Sequence, residues 1–467
     1  MKIYALVFAL LLSAMAVSAQ TPTAGITGRV TDVTGAVVPG ATIKVTNIDT
    51  NINQQTVSNE SGDFVVPFLN PARYVLEAQA SGFRSYKQEA FTLVVNQTLR
   101  LDIKLEIGAT SETVTIIDTP SALNTETGVR GQVTSKDEIK ELPLNGRNFS
   151  DLALLTGGVI PKGDGGDGSF AVNGGRGDNT GFILDGMNNT QRRNTNVVIN
   201  PPIESIQEFK MLTSGFSAEY GRYAGGILTA VTKSGTNKLH GSIYEYLRND
   251  IFDARGFFDP AKSRLRRNQF GATVSGPVVI PKIYNGHDRT FFMFTWDSLR
   301  EINGKSERAL VPTPAMLRGD FTGATDATGK PLTIIDPLTK KAFPNNQISP
   351  ASFDPVAVKL LRYFPAPNLS GGVFNYISIG NSINNFNSFG LKIDHLLTQK
   401  DRLTVGAFWR RTYNFDSVNT NRSTLPFFGP TNTPSEYLFY IKDLHTISPT
   451  MFLETSVNFS RRTNREL

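Results

Sequence analysis

Residues 403–410 read Leu403-Thr404-Val405-Gly406-Ala407-Phe408-Trp409-Arg410, and Leu403, Val405, Ala407 and Trp409 oppose Thr404, Gly406 and Arg410. A period of two is the mark of a strand with unlike faces, because successive side chains point to opposite sides. The pattern recurs on both flanks. Phe270, Ala272, Val274, Gly276 and Val278 oppose Gln269, Thr273 and Ser275; Phe292, Phe294 and Trp296 line one face of another strand. Phe389, Leu391 and Ile393 oppose Ser388, Lys392 and Asp394, and Leu453, Val457 and Phe459 oppose Glu454, Ser456 and Asn458. Residues 236–467 therefore read as antiparallel sheet with one apolar and one polar face. Two architectures share that alternation: a barrel wall with lipid outside and a polar lumen inside, and a large soluble sandwich.

The segment 303–385 breaks the alternation with Pro312, Pro314, Pro337, Pro344, Pro350, Pro365 and Pro367. On a barrel, a loop of this length belongs on the extracellular side, where ligand capture or lid formation is its expected role.

The first residues bear on the choice between the two architectures. Met1-Lys2 is a short positive stretch, Ile3 to Ala16 is apolar apart from Ser13, and Val17-Ser18-Ala19 presents small side chains. This is a signal peptide over 1–19 with cleavage between Ala19 and Gln20. No later window holds 18 consecutive apolar residues, so an exported chain of this kind enters a membrane only as a closed barrel.

Composition removes much chemistry. The 467 residues suggest about three domains. There is no cysteine, which excludes disulfides, thiol catalysis and cysteine-held metals. The four histidines, His240, His287, His395 and His445, stand far apart in sequence and in no metal-ligand spacing. The net charge of +6 is uneven: residues 1–235 carry 19 Lys and Arg against 22 Asp and Glu, residues 236–467 carry 28 against 19. With no basic helix and no zinc-finger spacing, nucleic acid is not an expected partner. Arg176-Gly177-Asp178 is too short a string to carry meaning, Asp164 and Asp167 lack the ligand order of a calcium loop, and Gly323 to Lys330 lacks that of a phosphate loop.

Residues 24–105 hold short strands between turns: Ile26–Val30, Ala41–Val45, Asp63–Pro67, Tyr74–Ala78 and Thr98–Ile103. They predict a small β-sandwich. From Gly28 through Phe83 the order of glycines, prolines and strand residues resembles the carboxypeptidase regulatory-like domain, which implies a transthyretin-like sandwich of the carbohydrate-binding-like kind. Phe64, Tyr74, Phe83 and Tyr86 read as core or edge residues rather than a sugar platform.

Residues 109–118 are a β-prone stretch with two open readings, one more edge strand of the sandwich or an extended peptide that adds to another protein's sheet. Within it, Glu112-Thr113-Val114-Thr115-Ile116 resembles a TonB box, the segment by which outer-membrane receptors are pulled by an inner-membrane motor.

Residues 120–235 read as mixed α/β. Ser135 and Glu138 form a capping box before a helix stopped by Pro143. Asn145-Gly146-Arg147 is a turn, Asn148 is placed to cap a second helix through Leu155, and Phe182 to Leu184 is a strand meeting an Asp185-Gly186 turn. Four runs, Glu141 to Asn148, Val172-Asn173-Gly174-Gly175-Arg176, Phe182 to Gly186, and Ser217-Ala218-Glu219-Tyr220-Gly221-Arg222, are similar to the plug of TonB-dependent receptors, in particular the Oar-like family that carries a regulatory-like domain in front.

The resemblance implies a mainly β protein: a transthyretin-like sandwich, a small α/β plug over 120–235, and over 236–467 the first part of a transmembrane antiparallel β-barrel. It implies an outer-membrane receptor that takes up a scarce or bulky solute, with outer-membrane lipid, a TonB-type inner-membrane energy-coupling protein and a solute or glycan as partners. No cofactor and no catalytic residue are implied. Only five wall strands are defensible from the residues, against about 22 in such transporters, so the reading expects further sequence beyond Leu467. Two rivals stay open: an outer-membrane carbohydrate-binding or adhesion protein without active transport, and a secreted carbohydrate-active enzyme, which would need paired carboxylates that no motif here supplies.

Overall fold

In the computed structural model, described residues run from 23 to 466 apart from 111, 117–127, 143, 145, 162–169, 192–195, 222, 256, 258–261, 327–328, 371–373, 418–428 and 449–450. The signal segment with Ala19 and Gln20, and Pro143, Asn145 and Arg222, lie outside the described residues.

The chain first builds a sandwich. One sheet pairs β4 (Asp63–Leu69) with β1 (Ala24–Asp32), and β1 in turn with β7 (Thr98–Arg100) and β8 (Ile103–Leu105). The other runs β3 (Asn53–Val57), β2 (Thr42–Asn47), β5 (Ala72–Gln79), β6 (Ser85–Leu93) and β9 (Thr113–Ile116). Alternate residues face a core of its own that includes Ile26, Ile43, Phe64, Leu76, Phe91 and Ile103. Phe64, Tyr74 and Tyr86 are buried in it and Phe83 packs against it, so none of these aromatics forms a surface platform. The strands β3 and β6 are additions to the sequence reading. Asn53-Gln54-Gln55-Thr56 is polar because it is an edge, and β6 keeps Lys87 and Glu89 on its less buried side. Expressed alone, residues 23–116 are expected to give the dispersed amide spectrum of a folded domain; a collapsed spectrum would show that the sandwich needs the rest of the chain.

The second unit is a sheet ordered β10 (Arg130–Ser135), β15 (Ile206–Ser214), β16 (Gly226–Thr232), β13 (Thr180–Leu184) and β14 (Met187–Asn188), with a separate pair β11 (Val159–Pro161) and β12 (Phe170–Val172). The capping box holds: Ser135 accepts from the backbone of Glu138, whose carboxylate answers, opening α1 (Lys136–Glu141). The expectation of a second α-helix capped by Asn148 is corrected. Residues Phe149–Leu155 are 3-10 helix with no side-chain cap, and the Asn148 amide oxygen instead accepts from Asn200 Nδ2 at 2.9 Å.

The third unit is a curtain of long antiparallel strands: β17 (His240–Asn249), β18 (Leu265–Pro277), β21 (Thr290–Ala309), β22 (Tyr376–Thr398), β23 (Asp401–Asp416), β25 (Ser435–Ser448) and β26 (Met451–Thr463). The short β19 (Val279–Ile280) and β20 (Tyr284–Asn285) form a hairpin, and β24 (Thr431–Asn432) adds to β23. β17 and β25 are strands the sequence reading lacked. The boundary of the long loop is corrected too: strand continues to Ala309 and resumes at Tyr376, so the irregular segment is 310–375. At about 3.4 Å per residue the 20 residues of β21 far exceed the roughly 25 Å apolar band of a membrane barrel. In such a barrel its distal part would extend beyond the lipid, where an apolar outer face is not required and alternation can fade.

The two faces of the curtain differ as the alternation requires. Ile243, Leu391, Phe439, Ile441, Val457 and Phe459 are exposed on the outer face. Trp296, Phe389, Trp409 and Tyr437 are successive register partners across four strands, with the Phe389 and Trp409 rings stacked 5.5 Å apart. A level row of aromatics bordering an apolar field matches the interfacial girdle of a membrane barrel. On the inner face Met293, Phe408, Leu438 and Tyr440 join the core of the second unit. Gly406 permits this packing: a Cβ there would lie 2.2 Å from the Tyr440 ring.

Strand direction gives the wall a polarity. By strand direction β18 ends and β21 begins at one end, as do β22 and β23 and β25 and β26, while the pairs separated by more residues, β17 and β18, β21 and β22, and β23 and β25, meet at the other. The sandwich meets the short-turn end, where Arg402 donates to the Phe68 carbonyl at 2.8 Å, Asn51 Nδ2 to Asp288 at 2.9 Å, and the Asn237 N–H to the Asp49 carbonyl at 2.9 Å. Short turns on the periplasmic side and long loops outside are the rule for such barrels.

Candidate functional site

The Asp185-Gly186 turn is tight, with φ of 52° and 87°, and joins β13 to β14 so that Leu184 pairs with Met187. It brings one carboxylate against the inner wall. Asp185 is buried and accepts from the Thr232 N–H at 2.8 Å, the Thr232 hydroxyl at 2.7 Å and the Tyr440 hydroxyl at 2.8 Å. Lys392 Nζ stands 3.5 Å away and also donates to the Thr232 carbonyl at 3.3 Å. One plug residue is thus bound by two wall strands, β22 and β25. Burial by itself would raise the Asp185 pKa; the charge of Lys392 and the bonds from Thr232 and Tyr440 outweigh it and hold it below 3.8. The stabilisation is present above the ordinary carboxylate range and is lost only as pH falls through the depressed pKa. Nearby, Asn458 Nδ2 donates to the Asn188 carbonyl at 3.3 Å and Arg462 to Gln191 at 3.3 Å.

A second contact forms around Arg147, whose φ of 53° follows Gly146 at 100°. Arg147 pairs with Glu204, and its guanidinium lies 3.6 Å from the ring centroid of Tyr246 on β17. The Tyr246 hydroxyl donates to Glu204 at 3.3 Å.

The remaining motif residues have different surroundings. Asn173 and Gly174, at φ of 50° and 74°, make the turn after β12, and Asn173 Nδ2 donates to the Thr213 carbonyl at 2.9 Å. Arg176 is exposed, as are Glu219 and Gly221. Tyr220 is buried and accepts from Asn96 Nδ2 of the sandwich at 2.9 Å. Two more bonds join it there: Lys210 Nζ donates to the Asn96 carbonyl at 2.9 Å, and the Val95 N–H donates to Glu208. The β6–β7 turn of the sandwich therefore grips β15 of the plug.

Burial raises the Glu208 pKa to about 7, with the Val95 N–H and Lys210 offsetting part of the cost. The sign is opposite to that of Asp185. The contribution of Glu208 is fully present below its ordinary 4.5 and is lost as pH rises through about 7. Glu208→Gln, which keeps an acceptor for Val95 without the charge, is expected to flatten the pH dependence of thermal stability between pH 5 and 8 and to leave the protein more stable at pH 8. An unchanged slope would contradict this environment for Glu208.

Glu112 to Ile116 are placed together at the rim of the sandwich. β9 runs parallel to β6, with Val114 opposite Tyr86, and is the last strand of its sheet among the described residues. The edge-strand reading is what the structure shows. The hold is short: four register pairs, the Ser85 N–H to the Glu112 carbonyl at 2.8 Å, Arg84 to Glu112 at 2.6 Å, Gln88 Nε2 to the Ile116 carbonyl at 3.4 Å, and Ile116 packed against the sandwich core. Thr113 and Thr115 are exposed, and the outer edge of β9 has no partner strand among the described residues.

Sequence reasoning identified Asp185, Arg147 and Tyr220 as motif members and missed their partners Lys392, Tyr440, Thr232, Glu204, Glu208 and Lys210. Lys392 was legible only as an inward-facing polar residue. Among the described residues no group of three or more His, Asp or Glu is placed to hold a metal ion.

Residues 231–466 match the outer membrane beta barrel domain, residues 124–227 the TonB-dependent receptor plug domain and residues 25–106 the carboxypeptidase regulatory-like domain. The TonB-dependent transporter Oar of Myxococcus xanthus is 28% identical over 265 residues, covering 53% of this chain and 24% of that protein. Among solved structures, a mutant of the ferric enterobactin receptor of Pseudomonas aeruginosa is 12% identical, covers 72% of this chain and 40% of its own, and has a TM-score of 0.42. The outer membrane transporter YddB of Escherichia coli is 11% identical, with coverages of 71% and 38% and a TM-score of 0.44. The chain spans about a quarter of the length of the curated relative and about two fifths of these solved chains. With its apolar outer face, filled inner face and matched domain model over half its length, the chain belongs to the outer membrane beta barrel family of the cell outer membrane, carrying a TonB-dependent receptor plug and a carboxypeptidase regulatory-like domain in front of the wall.

Proposed function

We propose that the complete protein is an outer-membrane receptor that captures a scarce or bulky solute and admits it to the periplasm, energised by a TonB-type inner-membrane protein. The observation that carries this reading is the position of β9: a four-residue strand with no partner on its outer edge among the described residues, placed before the plug in the chain and in the same sheet as the strand whose following turn grips the plug. An incoming strand can add to that edge through backbone hydrogen bonds. Tension on β9 passes through β6 to residues 95 and 96, and from there to Glu208, Lys210 and Tyr220. No catalytic step is assigned.

The rival reading, adhesion or glycan binding without transport, draws support only from the long outer loop 310–375, where Leu338 and Val356 are exposed; the sandwich aromatics are buried. The two part when the proton gradient is dissipated. For a solute that a receptor-deleted strain fails to accumulate, accumulation should stop while surface binding persists. Accumulation that continues without the gradient would overturn the transport reading.

A further inference from the structure

A cavity of about 840 Å³ lies where the sandwich, the plug and the wall meet. We propose that it is a binding chamber for a small polyanion, one bearing two or more carboxylate or phosphate groups. This goes beyond the transport reading and does not depend on it.

Positive charge is left over in the chamber after its ion pairs are formed. Arg73 is taken by Asp49 at 2.9 Å and Lys392 by Asp185 at 3.5 Å. Of the lining acids, Asp401 pairs with His445 and Glu208 accepts from the Val95 N–H, while Asp394 accepts from the Thr404 hydroxyl at 2.8 Å and has no cation partner among the described residues. Against that one acid stand at least three lining cations with no carboxylate partner among the described residues. Lys442, on the inner face of β25 and half-buried, has no hydrogen bond or ion pair among the described residues; Glu454 on β26 attracts it from beyond ion-pair distance. Arg402 spends one N–H on the neutral Phe68 carbonyl and pairs with no carboxylate among the described residues. Lys136, the first residue of α1, lines the chamber from the plug side and is likewise unpaired among the described residues.

Withdrawing an ammonium from bulk water without a counter-ion is costly, and a bound anion removes that cost. The geometry suits more than one anionic group. Thr404 is opposite Lys442 and Arg402 opposite Leu444 in the same strand pair, so Lys442 and Arg402 are diagonal neighbours on one face, about 7–8 Å apart at the backbone. The Arg402 fork can take one carboxylate or phosphate in the bidentate manner, the Lys442 ammonium a second. Lys136 lines the same cavity from another unit, so a ligand that reaches it would touch plug and wall together.

The test is calorimetric titration of the complete receptor, purified in detergent at low salt, with citrate and with inorganic pyrophosphate. No energised membrane is involved, so the outcome is independent of the coupling proposal. At least one probe is expected to bind. Affinity should fall tenfold or more in Lys442→Met and in Arg402→Met, survive in Lys442→Arg, and be untouched by Lys359→Met in the outer loop. Should the wall variants fail to assemble, Lys136→Met, on an exposed helix position, is expected to weaken binding severalfold without touching the wall. Binding of neither probe to the unaltered protein, or binding indifferent to all of Lys442, Arg402 and Lys136, would overturn the proposal.

Discussion

Asp185→Ala is expected to destabilise the docked plug by about 3–5 kcal/mol, the cost of removing one partner from a buried ion pair. The loss comes mainly from what stays behind. Lys392 and the Tyr440 hydroxyl would be left buried without their acceptor, and the Thr232 N–H and hydroxyl with them. The barrel wall should still insert, because its outer face and ladder are untouched, but plug segments should become accessible to protease from the periplasmic side. Asp185→Asn combined with Lys392→Met is expected to recover much of the loss, since the neutral amide tolerates the positive φ, keeps an acceptor for the Thr232 N–H and leaves no buried charge unpaired. An Asp185→Ala protein with unchanged protease resistance and melting temperature would show that the plug is held elsewhere, at the Arg147–Glu204–Tyr246 contact or by the apolar core alone.

The second large effect is on coupling. Val114→Pro removes one backbone donor in the middle of β9 and fixes its φ, so energised uptake by the complete receptor is expected to fall to the level seen without the proton gradient. Surface binding and membrane insertion should persist, because β9 is four residues at the rim of a sandwich whose core is built by other strands. Val114→Ala keeps the donor and should do much less. The structure sharpens the alternative. If β9 serves only the sandwich, the proline variant should lower the melting temperature of isolated residues 23–116 and reduce receptor abundance while uptake per receptor stays normal. Measuring abundance, binding and uptake in the same cells separates the two.

The readable parts of the fold were those where local chemistry and tertiary demand agree. A strand with lipid on one side and a polar interior on the other must alternate, so β18, β21, β22, β23 and β26 could be read from their residues. β25 escaped because Tyr437, Phe439 and Ile441 outside are matched by Leu438 and Tyr440 inside, where the plug makes the inner face apolar as well. β17 escaped because, at the sheet edge, its Ile243 and Tyr244 are adjacent and dilute the period. At the site, the Asp-Gly turn announced its geometry, since few residue pairs adopt two consecutive positive φ angles. Its partner Lys392 did not, because 207 positions separate the two in the chain and only the docked plug brings them together. Glu208 and Lys210 were likewise opaque: two charged residues of one strand become a latch only when the turn at 95 and 96 is laid on them.

The coupling claim meets its most direct test in living cells with a photoreactive residue in place of Thr115, which is exposed beside the open edge of β9. In cells carrying the complete receptor, the account predicts irradiation products joining position 115 to the TonB-type inner-membrane protein, and their loss in the Val114→Pro background. Crosslinks from position 115 that reach only the receptor's own sandwich, in cells that are actively accumulating solute, would contradict it.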